Sequence, residues 1–382
     1  MSVSEKEIKR RCDAIRERMR EENLKALIVF SQVQLRYSGD VRYISNYHLP
    51  TRREYLVLPL DGDPVLILCT LGHLYYAKSS SWIKDVRHGG EIEKMVLEVG
   101  RVLKTLGLGN EPIGIAGLSR TMPQGDYQLL AKELPGAQFK DATKMLEEIR
   151  MVKSPDEIAF IQQTTDIADS CYERLLAVLR PGKDELSVMG EVAKILVEQG
   201  VEDILILTAK GRSFPGFINH PGPYIFKEGD HYLFSVEISG PSGYWSQIVR
   251  PLCLGKPSAE YERLFQVGSA AVDAGVSKMI PGKRVGEMVS AMIAKINEGG
   301  YRTGIWCGHS MGMDVGENPG LFADSPVVLK EGMILTLHPH VMTQDRKEGL
   351  LVGDTYVVGK ERPWRFSRTV SDLDVFSTVA GE

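Results

Sequence analysis

The chain has 382 residues, of which 43% are hydrophobic and 25% are charged, a composition typical of a globular protein with two or three domains. Its formal net charge of −4 excludes a function built on a strongly basic surface for nucleic acid or anionic lipid. Five cysteines without a CxxC spacing argue against a disulfide framework or a structural zinc site, and for a reducing compartment.

The N-terminal part of the chain predicts an α/β domain with a mixed sheet. Residues 4–24 carry an apolar stripe at helical spacing and lack the apolar core of a signal peptide, which predicts a cytoplasmic protein. No apolar run approaches the ~20 residues of a membrane span. The next predicted elements are strands at 25–31, 53–60, 63–70 and 112–116, and helices at 91–106 and 124–134.

A strong helix start marks a domain boundary. Ser154 has the character of an N-cap, Pro155 suits the first helical position, and two acidic residues follow in the first turn. We therefore predict an N-terminal domain over residues 1–150 and a second domain over residues 151–382.

The second domain contains an internal repeat. Residues 171–200 and 271–300 align without gaps at an offset of 100, and each copy consists of a helix, a Pro-Gly-Lys turn and a second helix. Strand-rich sequence follows each copy. Because two copies are too few for a solenoid, the pattern predicts a pseudo-twofold domain in which two half-sheets are covered by two helix pairs. Both halves would contribute residues to a site in such a domain.

Few polar residues interrupt the apolar strands of this domain, and they are the candidates for a site. Glu237 lies inside the strand "YLFSVEISG", Gln247 lies on the return strand of a hairpin, and His309 lies in a glycine-rich segment. The remaining candidates are His220 in a loop rich in Pro and Gly, His338 and His340 on either side of Pro339, and Asp354 on the last strand. Each of them alone also fits an ordinary structural role. We expect His338 and His340 to face different sides of the sheet, so that one of the two is structural.

Several segments together resemble one superfamily. They are "EIRMVKSPDEIAFIQ", the turns "RPGK" and "IPGK", "GDHYLFSVEISGPSGYWSQIVRPLCLG", "CGHSMGMDVGENP" and "LKEGMILTLHPHVM". On these segments residues 151–375 resemble the creatinase/prolidase/aminopeptidase P superfamily, and the N-terminal half resembles its accessory domain. The resemblance implies an α/β (α+β) protein with a mixed-sheet creatinase-like domain followed by a pseudo-twofold pita-bread domain.

The metal ligands of that superfamily are mostly replaced here. The two aspartates, one histidine and two glutamates of its metallopeptidases fall at Val236, Gln247, His309, His338 and Gly353. A pair of close divalent ions requires bridging carboxylates, so we predict no dinuclear site and no metal or other cofactor. A single zinc ion held by some of His309, His338, His340 and Glu237 remains an alternative.

The metal-free members of the superfamily resemble this chain more closely. Creatinase is similar in "NHP" and "GHS", and its loop histidine is an acid/base group, which implies that role for His220. Its two active-site glutamates fall at Val249 and His338, so the creatine site itself is absent. Ectoine hydrolase is similar in the "VEISG" stretch, where its glutamate is a nucleophile, which implies that role for Glu237. Both relatives cleave C–N bonds in small nitrogen-rich molecules.

The expected activity is a metal-independent hydrolysis of an amide or amidine C–N bond in a small polar molecule. Such a reaction needs a nucleophile, a proton for the leaving nitrogen and stabilisation of charge on the tetrahedral centre. We predict Glu237 as nucleophile or general base and His220 as acid/base. His309 would steer the reacting carbonyl or amidine, and His338 would handle protons or bind substrate.

Other residues are expected to line the substrate site. Asp354 would orient His338 or bind a substrate cation, and the pocket wall would consist of Tyr244, Trp245, Gln247 and His340. The resemblance also implies a homodimer in which the N-terminal domain of the partner closes the site. Arg52 or Arg53 would then bind a substrate carboxylate, a role that suits arginine.

Three other functions stay open at this point. A lyase that cleaves a C–S or C–N bond would use the same histidines and glutamate. A metal-dependent Xaa-Pro peptidase is the usual activity of the superfamily. A non-catalytic binding protein is the third alternative, although such relatives carry extra domains or basic tails that this chain lacks. Neither nucleic acid nor a membrane is an expected partner.

Overall fold

The structure is a computed structural model that describes residues 3–33, 38–371 and 373. The chain divides into two compact units, Met1–Arg150 and Met151–Glu382. Within the described ranges, no helix is long and apolar enough to cross a membrane.

The first unit alternates helices and strands. Its helices are α1 (Glu5–Glu21), α2 (Gly39–Ser45), α3 (Leu71–Ser80), α4 (Met95–Thr105), α5 (Gln124–Glu133) and α6 (Thr143–Met151). Its strands are β1 (Ala26–Gln32), β2 (Arg53–Pro59), β3 (Val65–Leu68), β4 (Asp85–His88), β5 (Pro112–Ala116) and β6 (Gln138–Asp141). The strands form one sheet in the order β4-β3-β2-β1-β5-β6. Because β1 runs antiparallel to β2 and parallel to β5, the sheet is mixed, which confirms the prediction.

The second unit consists of long helices and two sheets. Its helices are α7 (Pro155–Val178), α8 (Glu185–Glu198), α9 (Ala259–Val276) and α10 (Val285–Glu298). Its strands are β7 (Asp203–Gly211), β8 (His231–Ser239), β9 (Trp245–Cys253), β10 (Arg302–Thr303), β11 (Gly308–Ser310), β12 (Ile334–Leu337), β13 (His340–Met342), β14 (Gly349–Leu351), β15 (Gly353–Val357) and β16 (Trp364–Arg365). As predicted, α7 starts with a capping box on Ser154.

The larger sheet of this unit buries one face under the helices. Its order is β11-β12-β15-β9-β8-β7, with β16 paired to β15. Alternate residues of β8, such as Phe234 and Val236, pack into a core with α7 and α8. Leu335 and Leu337 of β12 pack into a second core with α9 and α10. We call the opposite face, which points away from these helices, the inner face.

The internal repeat is present in the structure. Helices α8 and α10 have the same length and lie 100 residues apart in the chain. In each copy the Pro-Gly-Lys turn has its glycine in the left-handed region, at φ +86° for Gly182 and +91° for Gly282. Both glycines donate their backbone N–H groups to the segment that pairs with the start of the following helix, at Phe226 and Leu329. The domain is therefore pseudo-twofold, as the sequence predicted.

Candidate functional site

Polar side chains form a row across the inner face, and we call this row of five residues the polar row. His309 of β11 pairs with Thr336 of β12, and Thr336 pairs with Thr355 of β15. The hydroxyl of Thr355 lies 3.1 Å from the backbone nitrogen of Gln247 on β9, and Gln247 pairs with Glu237 on β8. Since directly opposed residues point to the same face, all five side chains lie on the inner face.

Glu237 and Gln247 are joined by a hydrogen bond. The Gln247 Nε2 atom donates to Glu237 Oε1 at 2.9 Å and to Ser235 Oγ at 3.0 Å. Glu237 is 6% exposed and Gln247 is 1% exposed. The amide oxygen of Gln247 is buried and has no hydrogen-bond partner in the described residues.

Two imidazoles lie at the other end of the polar row. The rings of His309 and His338 have centroids 5.2 Å apart and meet edge to face at 70°. His309 is partly exposed, and its Nδ1 atom donates to the Ser310 carbonyl at 3.3 Å. His338 is 2% exposed, and neither of its ring nitrogens has a hydrogen-bond partner in the described chain.

Both imidazoles are held in the neutral form. Burial, together with the nearby His309, lowers the pKa of His338 to about 3, and burial lowers the pKa of His309 as well. Of the two roles predicted for His338, this favours substrate binding over proton handling, because a neutral imidazole is a poor acid near pH 7. Each unpaired buried polar atom costs roughly 1–3 kcal/mol, so the orphaned atoms of His338 and Gln247 indicate a place where a bound molecule completes the hydrogen bonding.

Glycines allow the strands to close around this site. At Gly308, which has φ +140°, an added Cβ would collide with the Thr336 carbonyl oxygen. At Gly353 an added Cβ would collide with the Leu337 carbonyl oxygen and lie 2.8 Å from the His338 Cα atom. A side chain at position 353 is therefore sterically excluded by the backbone at the end of β12 and at His338.

The sheet register corrects the position of the site carboxylate. Val236 packs into the helix core, whereas its neighbour Glu237 lies opposite Gln247 on the inner face. The alignment that placed Val236 at a metal-ligand position is thus wrong by one residue. Glu237 is the acidic group that the hairpin presents to the site.

The prediction for Asp354 is also wrong, for the same reason of alternation. Asp354 follows Gly353 and points to the helix-covered face, where it accepts a hydrogen bond of 2.6 Å from buried Arg250. Its second oxygen pairs with Arg365 at 3.4 Å. It therefore does not orient His338, and it belongs to a buried ion pair.

His340 has a structural role, and the role in the pocket wall stays a prediction. Two residues that lie two apart in one continuous strand point to the same face. His338 and His340 do not share a strand, because the chain leaves the larger sheet after Leu337 and enters the smaller sheet at His340. His340 is fully buried, and its Nε2 atom donates to the Pro215 carbonyl at 2.8 Å. Its ring also contacts Phe217 at 5.3 Å. It holds the loop over residues 214–219.

That loop lies on the inner face and leads to His220. Phe214 and Ile218 pack on an apolar cluster whose members include Leu233 and Val249. His220 follows at an exposed position, and its backbone N–H donates to the Asn219 side chain at 2.8 Å. Among the predicted catalytic histidines it is the exposed one.

The two predicted aromatic residues differ in role. Tyr244 donates its hydroxyl to Glu157 at 2.6 Å and stacks on Phe160 of α7, so it stabilises the helix start and does not line a pocket. Trp245 has the same parity on β9 as Gln247, which places it on the inner face beside the polar row. It is 4% exposed, and its backbone N–H donates to the Gly312 carbonyl at 2.7 Å.

The two predicted arginines lie in the first unit. Arg53 is largely buried and forms an ion pair with Asp126 at 3.0 Å. Because its guanidinium group is already paired inside the first unit, the structure argues against the prediction that it binds a substrate carboxylate. Arg52 is exposed and adopts φ +73° in the turn before β2. Of the pair, Arg52 alone keeps its charged group at the surface.

The donor atoms of the site do not fit a pair of metal ions. Across the described ranges, no group of three or more His, Cys, Asp or Glu side chains is arranged to hold a metal ion. The polar row has one carboxylate, the amide of Gln247 is neutral, and a carboxylate at position 353 is sterically excluded. One carboxylate carries too little negative charge to offset two divalent cations.

Sequence reasoning missed the hydroxyl groups of the row. Thr336 and Thr355 are fully buried and lie 3.0 Å apart, and Ser235 orients the Gln247 amide. Two of these residues break apolar runs, as Glu237 does. The signal that could have identified them is the alternation of polar and apolar residues along β8, β12 and β15.

Fold and site together define a pita-bread protein with an accessory N-terminal domain. Residues 159–360 match the metallopeptidase family M24, and residues 11–152 match the creatinase/prolidase N-terminal domain. The chain therefore belongs to the M24 family.

Individual relatives differ in their described activities. The chain is 27% identical over 308 residues to "Uncharacterized peptidase YqhT" of Bacillus subtilis, covering 78% of this chain and 84% of that protein. It is 26% identical over 239 residues to ectoine hydrolase of Halomonas elongata, covering 57% and 59%. The Xaa-Pro dipeptidase of Bacillus anthracis superposes with a TM-score of 0.82 at 22% identity, covering 96% of this chain and 99% of that one, which shows the shared fold.

Proposed function

We propose that this protein is a metal-independent hydrolase that cleaves an amide or amidine C–N bond in a small polar molecule. The observation that carries the proposal is the polar row, which contains the carboxylate of Glu237 and the imidazole of His309, with the ring of His338 beside that of His309. Buried polar atoms of Gln247 and His338 have no hydrogen-bond partner in the described residues. The likeness to ectoine hydrolase supports a substrate other than a peptide.

We assign the following roles. Glu237 is the nucleophile or the base that activates water, and the Gln247 amide holds its carboxylate in place. His338 and His309 bind the carbonyl or amidine as neutral groups. His220, on the exposed loop, protonates the leaving nitrogen, so that hydroxide adds to carbon while the C–N bond breaks and nitrogen gains a proton.

A metal-dependent Xaa-Pro peptidase is the second candidate, because the family is described as a metallopeptidase family and a solved relative as an Xaa-Pro dipeptidase. The donor set argues against it. The neutral Gln247 and the side chain excluded at Gly353 leave too little negative charge for two divalent ions.

A direct test compares Glu237→Gln with the native protein. The amide retains an acceptor for Gln247, so we expect an unchanged melting temperature and a loss of turnover of roughly 10³-fold or more, since the nucleophile is gone. Asp230→Asn is the matched control, because Asp230 is a buried acid directly before the same strand and accepts hydrogen bonds from the Tyr224 hydroxyl and the Lys227 backbone N–H. It should lower stability and leave kcat within a few-fold. Full activity of Glu237→Gln would refute the assignment.

Metal dependence is tested separately. We expect the freshly purified protein to hold well under one equivalent of transition metal by elemental analysis and to keep its activity after dialysis against a chelator. Stoichiometric metal that is lost together with activity, and dipeptide cleavage restored by manganese, would establish the peptidase instead.

A further inference from the structure

The Gln247 amide has a defined orientation. Both hydrogens of Nε2 are used, one toward Ser235 Oγ and one toward Glu237 Oε1. The flipped amide would place its oxygen against the carboxylate oxygen of Glu237, so that two acceptors would face each other. The network therefore determines which atom is oxygen.

The remaining polar atom of this side chain, Gln247 Oε1, is a hydrogen-bond acceptor. Gln247 Oε1 is buried and has no hydrogen-bond partner in the part of the chain that the structure describes. It lies next to a carboxylate, which can only accept when ionised. With Glu237 ionised, as its proposed role requires, this end of the polar row consists of adjacent acceptors.

We propose that Gln247 determines specificity by requiring an N–H donor on the substrate at the scissile group, which defines the substrate class as an N–H amide or, preferably, a protonated amidine. This rests on the proposed function only in taking the inner face as the substrate site. Esters, lactones and fully N-alkylated amides lack the donor and would leave Gln247 Oε1 unpaired.

The other end of the row fits the same class. Each neutral imidazole has one N–H donor and one acceptor nitrogen, so His338 can donate to a carbonyl oxygen or accept from a second N–H group. A site that hydrogen-bonds a substrate N–H rejects analogues without it by as much as ~10⁴-fold. An oxygen ester of the same shape is therefore a poor substrate.

The test measures binding of a minimal probe and needs no turnover. Acetamidinium chloride is titrated into the native protein by saturation-transfer NMR, and tetramethylammonium chloride, a cation without N–H groups, is the control probe. We expect saturable binding of acetamidinium at least tenfold stronger than that of tetramethylammonium, with density beside Gln247 in a soaked crystal.

The variant Gln247→Met removes the acceptor while keeping the side-chain length. It should weaken acetamidinium binding at least tenfold with a native circular-dichroism spectrum. Equal binding of the two cations by the native protein, a comparison that does not depend on folding of the variant, would overturn the proposal. So would acetamidinium affinity in Gln247→Met within twofold of native.

The outcome is separable from that of the proposed function. A protein that binds acetamidinium through Gln247 yet hydrolyses no C–N substrate would uphold the specificity inference and refute the hydrolase. Turnover that requires Glu237, but with equal rates on matched amides and esters, would support the hydrolase and refute the specificity inference.

Discussion

At the scale of single residues, unpaired polar atoms at the site lower the stability of the fold. His338 is buried with two unpaired nitrogens, and Gln247 with one unpaired oxygen. An apolar side chain would pack there without an unmet hydrogen bond. Retaining polar atoms under these conditions is reasonable where a ligand pairs with them, which is the physical basis for placing the site here.

His338→Leu tests this cost. Leucine has a volume similar to that of histidine and lacks the two unpaired nitrogens. The substitution should therefore raise the free energy of unfolding at pH 7 by about 1 kcal/mol, while turnover falls. Urea unfolding followed by tryptophan fluorescence measures the first effect and a hydrolysis assay the second. A loss of stability at pH 7 would mean that the imidazole is satisfied in solution.

The same substitution should change the acid sensitivity. The folded pKa of His338, about 3, lies below the value near 6.5 of an unfolded histidine, so the unfolded state binds the proton more tightly. Proton binding by the unfolded state therefore does not reduce the free energy of unfolding above about pH 6.5, and it reduces it progressively as the pH falls from 6.5 toward 3. His338→Leu should show a flatter decline over that window in urea titrations at several pH values. An identical slope would contradict the burial of His338.

At the scale of elements, His340 connects the small sheet to the loop on the inner face. Its ring donates to the Pro215 carbonyl at 2.8 Å and packs against Gly304, where an added Cβ would collide with the ring. The position of the loop that leads to His220 therefore depends on a side chain on β13.

Gly304→Ala should displace this ring. We expect overpacking to lower the free energy of unfolding by about 1–3 kcal/mol and to speed amide hydrogen exchange in residues 214–219. Gly222→Ala is the matched control, because an added Cβ there meets nothing within 4 Å and should change stability by less than about 0.5 kcal/mol. Equal effects of the two substitutions would show that the ring does not hold the loop.

At the scale of the whole molecule, the resemblance to the superfamily predicts a homodimer in which Arg52 of one chain binds substrate in the site of the other. Light scattering after size exclusion should give twice the chain mass of 42.5 kDa. A monomer that is fully active would exclude the arrangement.

The two neighbouring arginines offer a paired substitution. Arg52→Ala should raise KM without changing the melting temperature, because the side chain is exposed. Arg53→Ala should lower the melting temperature, because it leaves Asp126 without its partner, at a cost of about 1–3 kcal/mol. If Arg52→Ala leaves KM unchanged, the role assigned to Arg52 is wrong.

Local patterns along the chain were enough to predict much of this protein. Alternation and helical spacing predicted the mixed sheet of the first unit, the offset of 100 between residues 171–200 and 271–300 predicted the pseudo-twofold domain, and Ser154 predicted the start of α7. These features depend on neighbouring residues, whose backbone preferences and faces can be read without knowing what they pack against.

The details of the site depended on contacts between residues distant in sequence. Only strand pairing showed that Glu237, and not Val236, lies opposite Gln247, and that Asp354 belongs to Arg250. The lowered pKa of His338 likewise comes from its burial in the fold and from the nearby His309. Register and desolvation are set by the surfaces that strands and helices present to one another, and no local pattern contains those distances.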